Sequence, residues 1–366
     1  MERTLSRTRC DVVVIGAGAM GSATTWWLAR RGVDTVLLER FEQGHGRGSS
    51  HGATRIFRLA YQDRRYMRMA AEALPLWREL EDDTGTPLLV TTGGLDHGAP
   101  PLVAATIEAL AAEGVAHQVL GPGASAERWP GMRFEGDVVV QPDAGRCLAD
   151  VTVRVLQDRA VALGADVRFS AGDASVALLH DPDGSDGGHR RVRVVAGEEE
   201  VIARVAVVTA GAWVSSVLED VSLPPMRVTR EQVQHFVPVP SAGGSTTDWP
   251  SFIHHRDRFV YGLLSPGEGV KVAFHHDGPV VDPDRRTFDL DPLALADAAA
   301  YASSWLPGVE PTPVRGLTCL YTSTPTHDFV LARHGPVVVG SPCSGHGFKF
   351  TPLIGRILAD LATDPS

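Results

Sequence analysis

The chain has 366 residues, of which 43% are hydrophobic and 21% charged, the make-up of a globular protein long enough for two domains. Its net charge of -10 argues against an extended nucleic-acid surface, and no apolar run approaches the ~20 residues that span a bilayer. Four scattered cysteines, Cys10, Cys147, Cys319 and Cys343, lack zinc or disulfide spacing.

The polar stretch from Met1 to Cys10 has no apolar signal-like region, so a cytoplasmic location is expected. Asp11 to Ile15 is a β-branched apolar run and reads as a buried parallel strand. Gly16-Ala-Gly18-Ala19-Met20-Gly21 follows, then a helix from Ser22 to Arg31 ending at Gly32. A second strand from Asp34 to Leu38 ends in Glu39, followed by Arg40. Together these form a dinucleotide fingerprint. The first glycine makes the tight turn, the second admits a diphosphate, and the third lets helix and strand pack. The helix N-terminus favours the phosphates, and Glu39 suits ribose hydroxyls and disfavours the 2′-phosphate of NADP. The motif alone does not separate NAD from FAD.

Gly44 to Gly52 is a glycine- and serine-rich loop leading through Ser49, Ser50 and His51 to Arg55-Ile56-Phe-Arg58. The two arginines are three apart, a spacing that shares one face on a helix. Beside a nucleotide they suit a carboxylate or an anionic ring. Further on, Tyr66 to Asp83 has a helical period, and Leu88 to Leu95 and Asp137 to Gln141 read as strands. A helix is expected from Val151 to Leu163 and strands at Asp166 to Phe169 and Val201 to Thr209, with an exposed loop at 181–189. The turn Ala210-Gly211-Ala-Trp213 follows the last of these strands.

From Arg227 to Phe274 the chain favours strands, which suggests an antiparallel sheet inserted into the αβ unit, with a helix from Leu293 to Leu306. Alternation places Lys271 and His275 on one strand face. The paired histidines His254-His255 and His275-His276 lack metal-ligand spacing, so no metal is expected. Ser344 to about Leu361 reads as a final helix, with Gly345 and Gly347 permitting close backbone approach. Lys271 and Lys349 are the only lysines, against 32 arginines. Where arginine has replaced lysine so widely, the survivors mark places that need a compact charge with a movable pKa.

The fingerprint, Ser50-His51-Gly-Ala-Thr-Arg55, Thr209-Ala-Gly-Ala-Trp213, Arg315-Gly-Leu-Thr-Cys319-Leu-Tyr321-Thr and Ser344-Gly-His-Gly-Phe-Lys349-Phe occur in one order. In this the chain resembles the FAD-dependent amine oxidases typified by monomeric sarcosine oxidase, with N-methyltryptophan and pipecolate-type oxidases as relatives. The resemblance implies an α/β fold: a discontinuous Rossmann-like FAD domain (9–95, 137–222, 313–366) around an antiparallel-sheet substrate domain (96–136, 223–312). It implies FAD held by Gly16, Gly18, Ala19, Met20, Gly21, Glu39 and Arg40, by Ser49, Ser50, His51, Arg55 and Ile56, and by Ala210, Gly211 and Trp213. The same cofactor would meet Gly345, His346, Gly347, Phe348 and Lys349, with a thioether to Cys319. Arg58 and Lys349 would bind a substrate carboxylate, with Tyr261 and Tyr321 beside the substrate. Lys271 would promote oxygen reduction, and Arg55, His275 and Tyr261 would complete the catalytic set.

The reaction implied is oxidation of a secondary amine, an N-methyl or cyclic amino acid, to an imine, with O2 reduced to hydrogen peroxide by a cytoplasmic monomer that has no nucleic-acid or membrane partner. Several residues depart from the family. Ala53 replaces an acid, Val260 stands where a second tyrosine precedes Tyr261, Ile253-His-His-Arg-Asp-Arg258 replaces a different pocket-edge loop, and the chain stops soon after Leu361. A bulkier or cyclic substrate of a specialised biosynthetic pathway is therefore an equal expectation. Two other classes compete: an NAD-dependent dehydrogenase, opposed by Cys319 and the glycine-histidine-lysine motif, and a flavin-binding protein without oxidase activity, opposed by Lys271.

Overall fold

Two eight-stranded sheets and a three-stranded ribbon organise the chain in the computed structural model, which describes residues 6–179, 191–218, 221–239 and 249–364. The loop expected at 181–189 lies outside the described residues. No described helix is long and apolar enough to cross a membrane.

The first sheet is built around the strand Ser6–Ile15, which is longer than the apolar run alone suggests. It pairs in parallel with Glu199–Val208 on one side and Thr35–Leu38 on the other, and Asp166–Arg168 extends the sheet beyond the latter. Val337–Ser341 pairs in parallel with the end of Glu199–Val208. The central strands are buried, as a parallel sheet covered by helices requires. The helix Ala19–Arg30 begins at the fingerprint itself, one turn earlier than Ser22, with Gly18 as its cap. The helices Ala149–Ala162 and Thr351–Thr363 pack against it. Contact with the second of these is close, because a Cβ on Gly355 would lie 2.5 Å from Ala23 Cβ.

The second sheet runs, in order, Arg315–Ser323, Arg227–Phe236, Gly269–Phe274, Val260–Ser265, Ser251–His255, Gly94–Gly98, Val138–Gln141 and Gln118–Leu120. It is antiparallel except where Ser251–His255 runs parallel to Gly94–Gly98. Leu88 to Leu95 is therefore not one strand. It breaks at Gly93, with φ of 77°, into Leu89–Thr91 in the ribbon and Gly94–Gly98 in the second sheet. Boundaries at 137 and 313 likewise do not follow sheet membership, since Val138–Gln141 and Arg315–Ser323 both pair in the second sheet. Alternation identifies a strand, but its partners are set by contacts distant in sequence.

Two further expectations are corrected. Arg55 lies in the strand Thr54–Phe57, paired with Gly145–Leu148, so the arginines do not share a helical face. The β-branched Thr54 and Ile56 favour the extended form, and Arg58 follows just beyond it. At the C-terminal end, Ser344 and Gly345 have φ of 37° and 75°, which breaks any helix there. A 3-10 turn at Phe348–Phe350 follows, and the helix proper starts at Thr351.

Gly355→Ala should destabilise the protein by about 1–3 kcal/mol through overpacking against Ala23. Gly123→Ala, in the helix Pro122–Arg128 with open space around it, should be neutral or stabilise by about 0.5 kcal/mol. Urea unfolding of both variants checks the opposite signs.

Candidate active site

A cavity of about 900 Å³ opens at the C-terminal ends of the parallel strands of the first sheet and continues along one face of the second. Every candidate cofactor, substrate or catalytic residue expected from the sequence lines it except Gly21. Gly21 lies beneath the floor, where a Cβ would come 1.8 Å from the Gly16 carbonyl oxygen and 2.6 Å from Thr209 Oγ1. Its role is the packing of helix on strand.

At one end, Gly16 has φ of 97°, and a Cβ there would lie 2.7 Å from the Thr209 carbonyl oxygen. Only glycine fits both demands. Glu39 is buried; its Oε2 accepts from Ala17 N at 2.7 Å and its Oε1 from Phe41 N at 3.0 Å. Burial opposes ionisation, but His45 and these two backbone N–H groups outweigh it and hold the carboxyl below its usual range. A carboxylate has further lone pairs to offer a hydroxyl ligand. Arg40 pairs with Asp173 and Asp284, and Trp213 Nε1 donates to Asp284 at 2.9 Å. Ser50 Oγ accepts from Ala19 N at 3.0 Å, which caps the first helix.

The middle of the cavity is the segment Ser49–Thr54. Arg55 Nη2 donates to the carbonyls of Ser49 at 2.8 Å and His51 at 2.6 Å, and Nη1 to that of Thr54 at 2.9 Å. Lys271 Nζ also donates to the Thr54 carbonyl. Lys271 is 5% exposed. Burial and then the Arg55 charge lower its pKa from 10.5 to about 7. His51 is lowered to about 4 by the same two effects, so it is neutral at pH 7, and its buried Nε2 has no partner among the described residues. Leu317, Cys319 and Tyr321 alternate along Arg315–Ser323 onto the cavity face. Burial pushes the Cys319 thiol up, with Arg55 opposing.

At the far end, Lys349 is 5% exposed and its Nζ donates to Tyr61 Oη at 2.8 Å and to the His346 carbonyl at 2.7 Å. Arg58 lies over the same Tyr61 ring at 4.5 Å. Burial and then Arg58 push Lys349 well below its usual value. Two basic side chains brought together in a largely dry pocket suit an anion. His275 Nδ1 lies 3.3 Å from Tyr321 Oη, and Tyr261 is edge-on to His275 with ring centroids 6.1 Å apart. Burial raises both tyrosines and lowers His275, so all three are neutral at pH 7. A Cβ on Gly345 would lie 2.5 Å from the Tyr321 ring and 2.7 Å from that of His275, so glycine is required there.

Tyr61, which bridges the two cations, carries no signal in its own segment. Nor does Asp96, whose 1% exposed carboxylate meets His255, Gln141 and Arg58. These groups come from four separate segments, and only the unusual stretch Ile253 to Arg258 hinted at the last wall. No cluster suited to a metal ion occurs among the described residues.

Known proteins resemble the chain over nearly its whole length. Residues 11–361 match the family described as DAO: FAD dependent oxidoreductase. The chain is 31% identical to a monomeric sarcosine oxidase of Bacillus sp. (strain NS-129), covering 97% of this chain and 93% of that protein. It is 33% identical to the peroxisomal sarcosine oxidase of Homo sapiens, covering 96% and 92%. Among solved structures, NikD, an unusual amino acid oxidase essential for nikkomycin biosynthesis, superposes with a TM-score of 0.83 at 28% identity, covering 98% and 95%.

The residues present fit an FAD. The cradle at Gly16 and the helix N-terminus suit its diphosphate, and Glu39 its ribose. The unpartnered His51 Nε2 has room for a polar ligand atom. Arg55 and Lys271 suit a ring that gains negative charge.

Lys271→Met should stabilise the flavin-free chain at pH 6. Between about 7 and 10.5 the unfolded chain holds a lysine proton that the folded chain lacks, so native stability rises with pH across that window. The advantage of the methionine variant should therefore shrink through it and vanish near pH 11. Denaturation midpoints at several pH values check this, and a constant difference would refute it.

Proposed function

The chain belongs to the family of FAD-dependent oxidoreductases, and we propose that it is an oxidase of a secondary amine carrying a carboxylate, an N-methyl or cyclic amino acid. The observation that carries this reading is the convergence of Arg58 and Lys349 around Tyr61 in the cavity that also holds Lys271. Arg58 offers a planar fork to a carboxylate, and Lys349 adds a point charge. An anion between them would oppose the burial that lowers the Lys349 pKa. The neutral pair Tyr261 and Tyr321, with His275, gives the rest of the pocket an aromatic, weakly polar wall suited to an N-methyl group or a ring.

Bound FAD supplies the two-electron acceptor and passes the electrons on to O2. Lys271 places a compact cation beside the segment that Arg55 braces, where charge builds as oxygen is reduced. Cys319 lines the same cavity and, on this reading, forms a thioether with the cofactor. The raised thiol pKa means that a cation or the cofactor itself must help remove its proton. The amine becomes an imine, which water hydrolyses, and hydrogen peroxide is released. The Bacillus relative is named monomeric, and we propose the same for this chain, working in the cytoplasm on a small amine and O2.

The identity of the substrate is open to the same logic. The stretch Ile253–Arg258 lines one side of the cavity through Ile253 and His255, so the pocket there is polar and chain-specific. A substrate larger than sarcosine, such as a cyclic imino acid, fits this reading.

The purified protein should be yellow and should form peroxide with at least one member of a panel of N-methyl and cyclic amino acids. A colourless protein, or a yellow one that no amine reduces, sinks the proposal. Lys271→Arg should slow flavin reoxidation by O2 at least 10-fold more than flavin reduction, read by stopped flow; equal effects on both half-reactions would reject the role of Lys271. After acid precipitation the yellow colour should stay with the protein and should be released by Cys319→Ser.

A further inference from the structure

Behind Arg58 lies a hydrogen-bonded group that the reaction described above does not use. Asp96 Oδ1 meets His255 Nε2 at 2.8 Å and Arg58 Nη1 at 3.6 Å. Its other oxygen accepts from Gln141 Nε2 at 2.8 Å, and Gln141 Oε1 in turn accepts from Leu59 N at 3.0 Å and Ala60 N at 2.7 Å. The carboxylate is thus fixed from behind, on the strand Gly94–Gly98, which runs parallel to the strand carrying His255. His255 lines the cavity, and its Nδ1 is buried with no partner among the described residues.

A carboxylate on one ring nitrogen fixes the tautomer: Nε2 carries the proton toward Asp96, and Nδ1 keeps its lone pair. Buried polar atoms are mostly hydrogen-bonded, so an unpartnered Nδ1 calls for an explanation. Here the unpartnered nitrogen belongs to a residue that lines the cavity and that shares Asp96 with the cation assigned to a carboxylate. In an α-amino acid the ammonium nitrogen is bonded to the carbon that bears the carboxylate. A group that binds the carboxylate therefore brings the ammonium within reach of its neighbours.

We propose that the Asp96–His255 pair takes the proton of the substrate ammonium as the amino acid binds at Arg58, so that oxidation starts from the free amine. The step is a proton transfer only. The N–H bond of the ammonium breaks, its electron pair stays on nitrogen, and the proton bonds to Nδ1. Nε2–H remains hydrogen-bonded to Asp96, whose charge now balances an imidazolium. Asp96 is then less a partner of Arg58, which leaves the guanidinium to the substrate carboxylate. Deprotonation and carboxylate binding thereby favour each other. The proton leaves to water when product is released. Other charged or titratable groups near His255 are Arg58, Arg256, His97 and His254; burial and then the neighbouring charges lower the last two, so they stay neutral at pH 7 and do not compete. Phe259 packs edge-on to His255 at 5.3 Å and shields it.

This inference rests on the proposed amine oxidation. The test is anaerobic stopped-flow reduction of the flavin in the holoenzyme by its best amine substrate, from pH 6 to 10, in the unmodified protein and in His255→Gln and His255→Asn. Two variants guard against one failing to fold, and the native flavin spectrum with an unchanged reoxidation rate qualifies each. The expected result is at least a 10-fold loss of the reduction rate at pH 7, recovery to within 3-fold at pH 10, and an apparent pKa for reduction raised by at least one unit. Asp96→Asn should shift the profile in the same direction and also raise the substrate Kd. Profiles lowered by one factor at every pH, or left unchanged, would overturn the proton-acceptor role while leaving the oxidase reading intact. An unmodified protein that no amine reduces would remove both.

Discussion

The hold of Arg55 and Lys271 on the backbone of Ser49–Thr54 is the interaction on which the site depends. Three carbonyls of that segment, those of Ser49, His51 and Thr54, point at these two cations, Arg55 half-buried and Lys271 buried. Hydrogen bonds to charged donors are among the strongest a backbone can make, and more so where water is excluded. The same segment reaches the other way as well. Ser50 caps the helix of the dinucleotide fingerprint, and Ser49 Oγ donates to the Leu320 carbonyl beside Cys319 at 2.6 Å. One short loop therefore fixes the first sheet, the second sheet and the cation pair relative to each other. A glycine-rich sequence suits it, because the loop must turn sharply and then be held from outside.

How much of this was legible in the sequence follows from the range of the interactions. The fingerprint is local, so its strand, turn and acidic end could be read directly, and the helix differed only in its start. The five ordered motifs resembled one family, and the family match bears that out. Tertiary constraints defeated the local readings. Arg55 and Arg58 looked helical by spacing, but Thr54–Phe57 is drawn out by pairing with Gly145–Leu148. The run Leu88 to Leu95 looked continuous, yet Gly93 turns it from one sheet to another. The helix expected from Ser344 is delayed by two left-handed residues that bring Gly345 against Tyr321 and His275. Asp96, Gln141 and Tyr61 were silent because each is unremarkable in its own segment, and His255 stood out only as one of a histidine pair in an unusual stretch; all four acquire meaning only across strands.

Composition was the most compressed signal. Of the 34 basic lysine and arginine side chains, two are lysine, and both lie buried in one cavity. Their chemistry accounts for that placement. A guanidinium needs several acceptors in a plane to be content when dry, and Arg55 has three carbonyls around it. Lys271 and Lys349 have one and two hydrogen-bond acceptors, few enough for an ammonium and too few for a fork. An ammonium can also shed its proton under such burial, an option closed to arginine.

The backing of Lys349 has a consequence for how this pocket can diverge. Trp77 Nε1 donates to the Lys349 carbonyl at 2.7 Å, and the same helix, Arg64–Thr84, is tied at its far end through Asp83 to Trp26 and Arg159. That wall is anchored at depth and resists drift without loss of the core. The opposite wall, Ile253 to Phe259, leads into an exposed hairpin tip at Arg256–Arg258, tied by surface contacts such as the Arg258 ion pairs with Asp277 and Asp297. New substrates would thus be admitted by change at Ile253 or in the exposed tip, with His255 kept, while the anchored wall keeps the grip on the carboxylate.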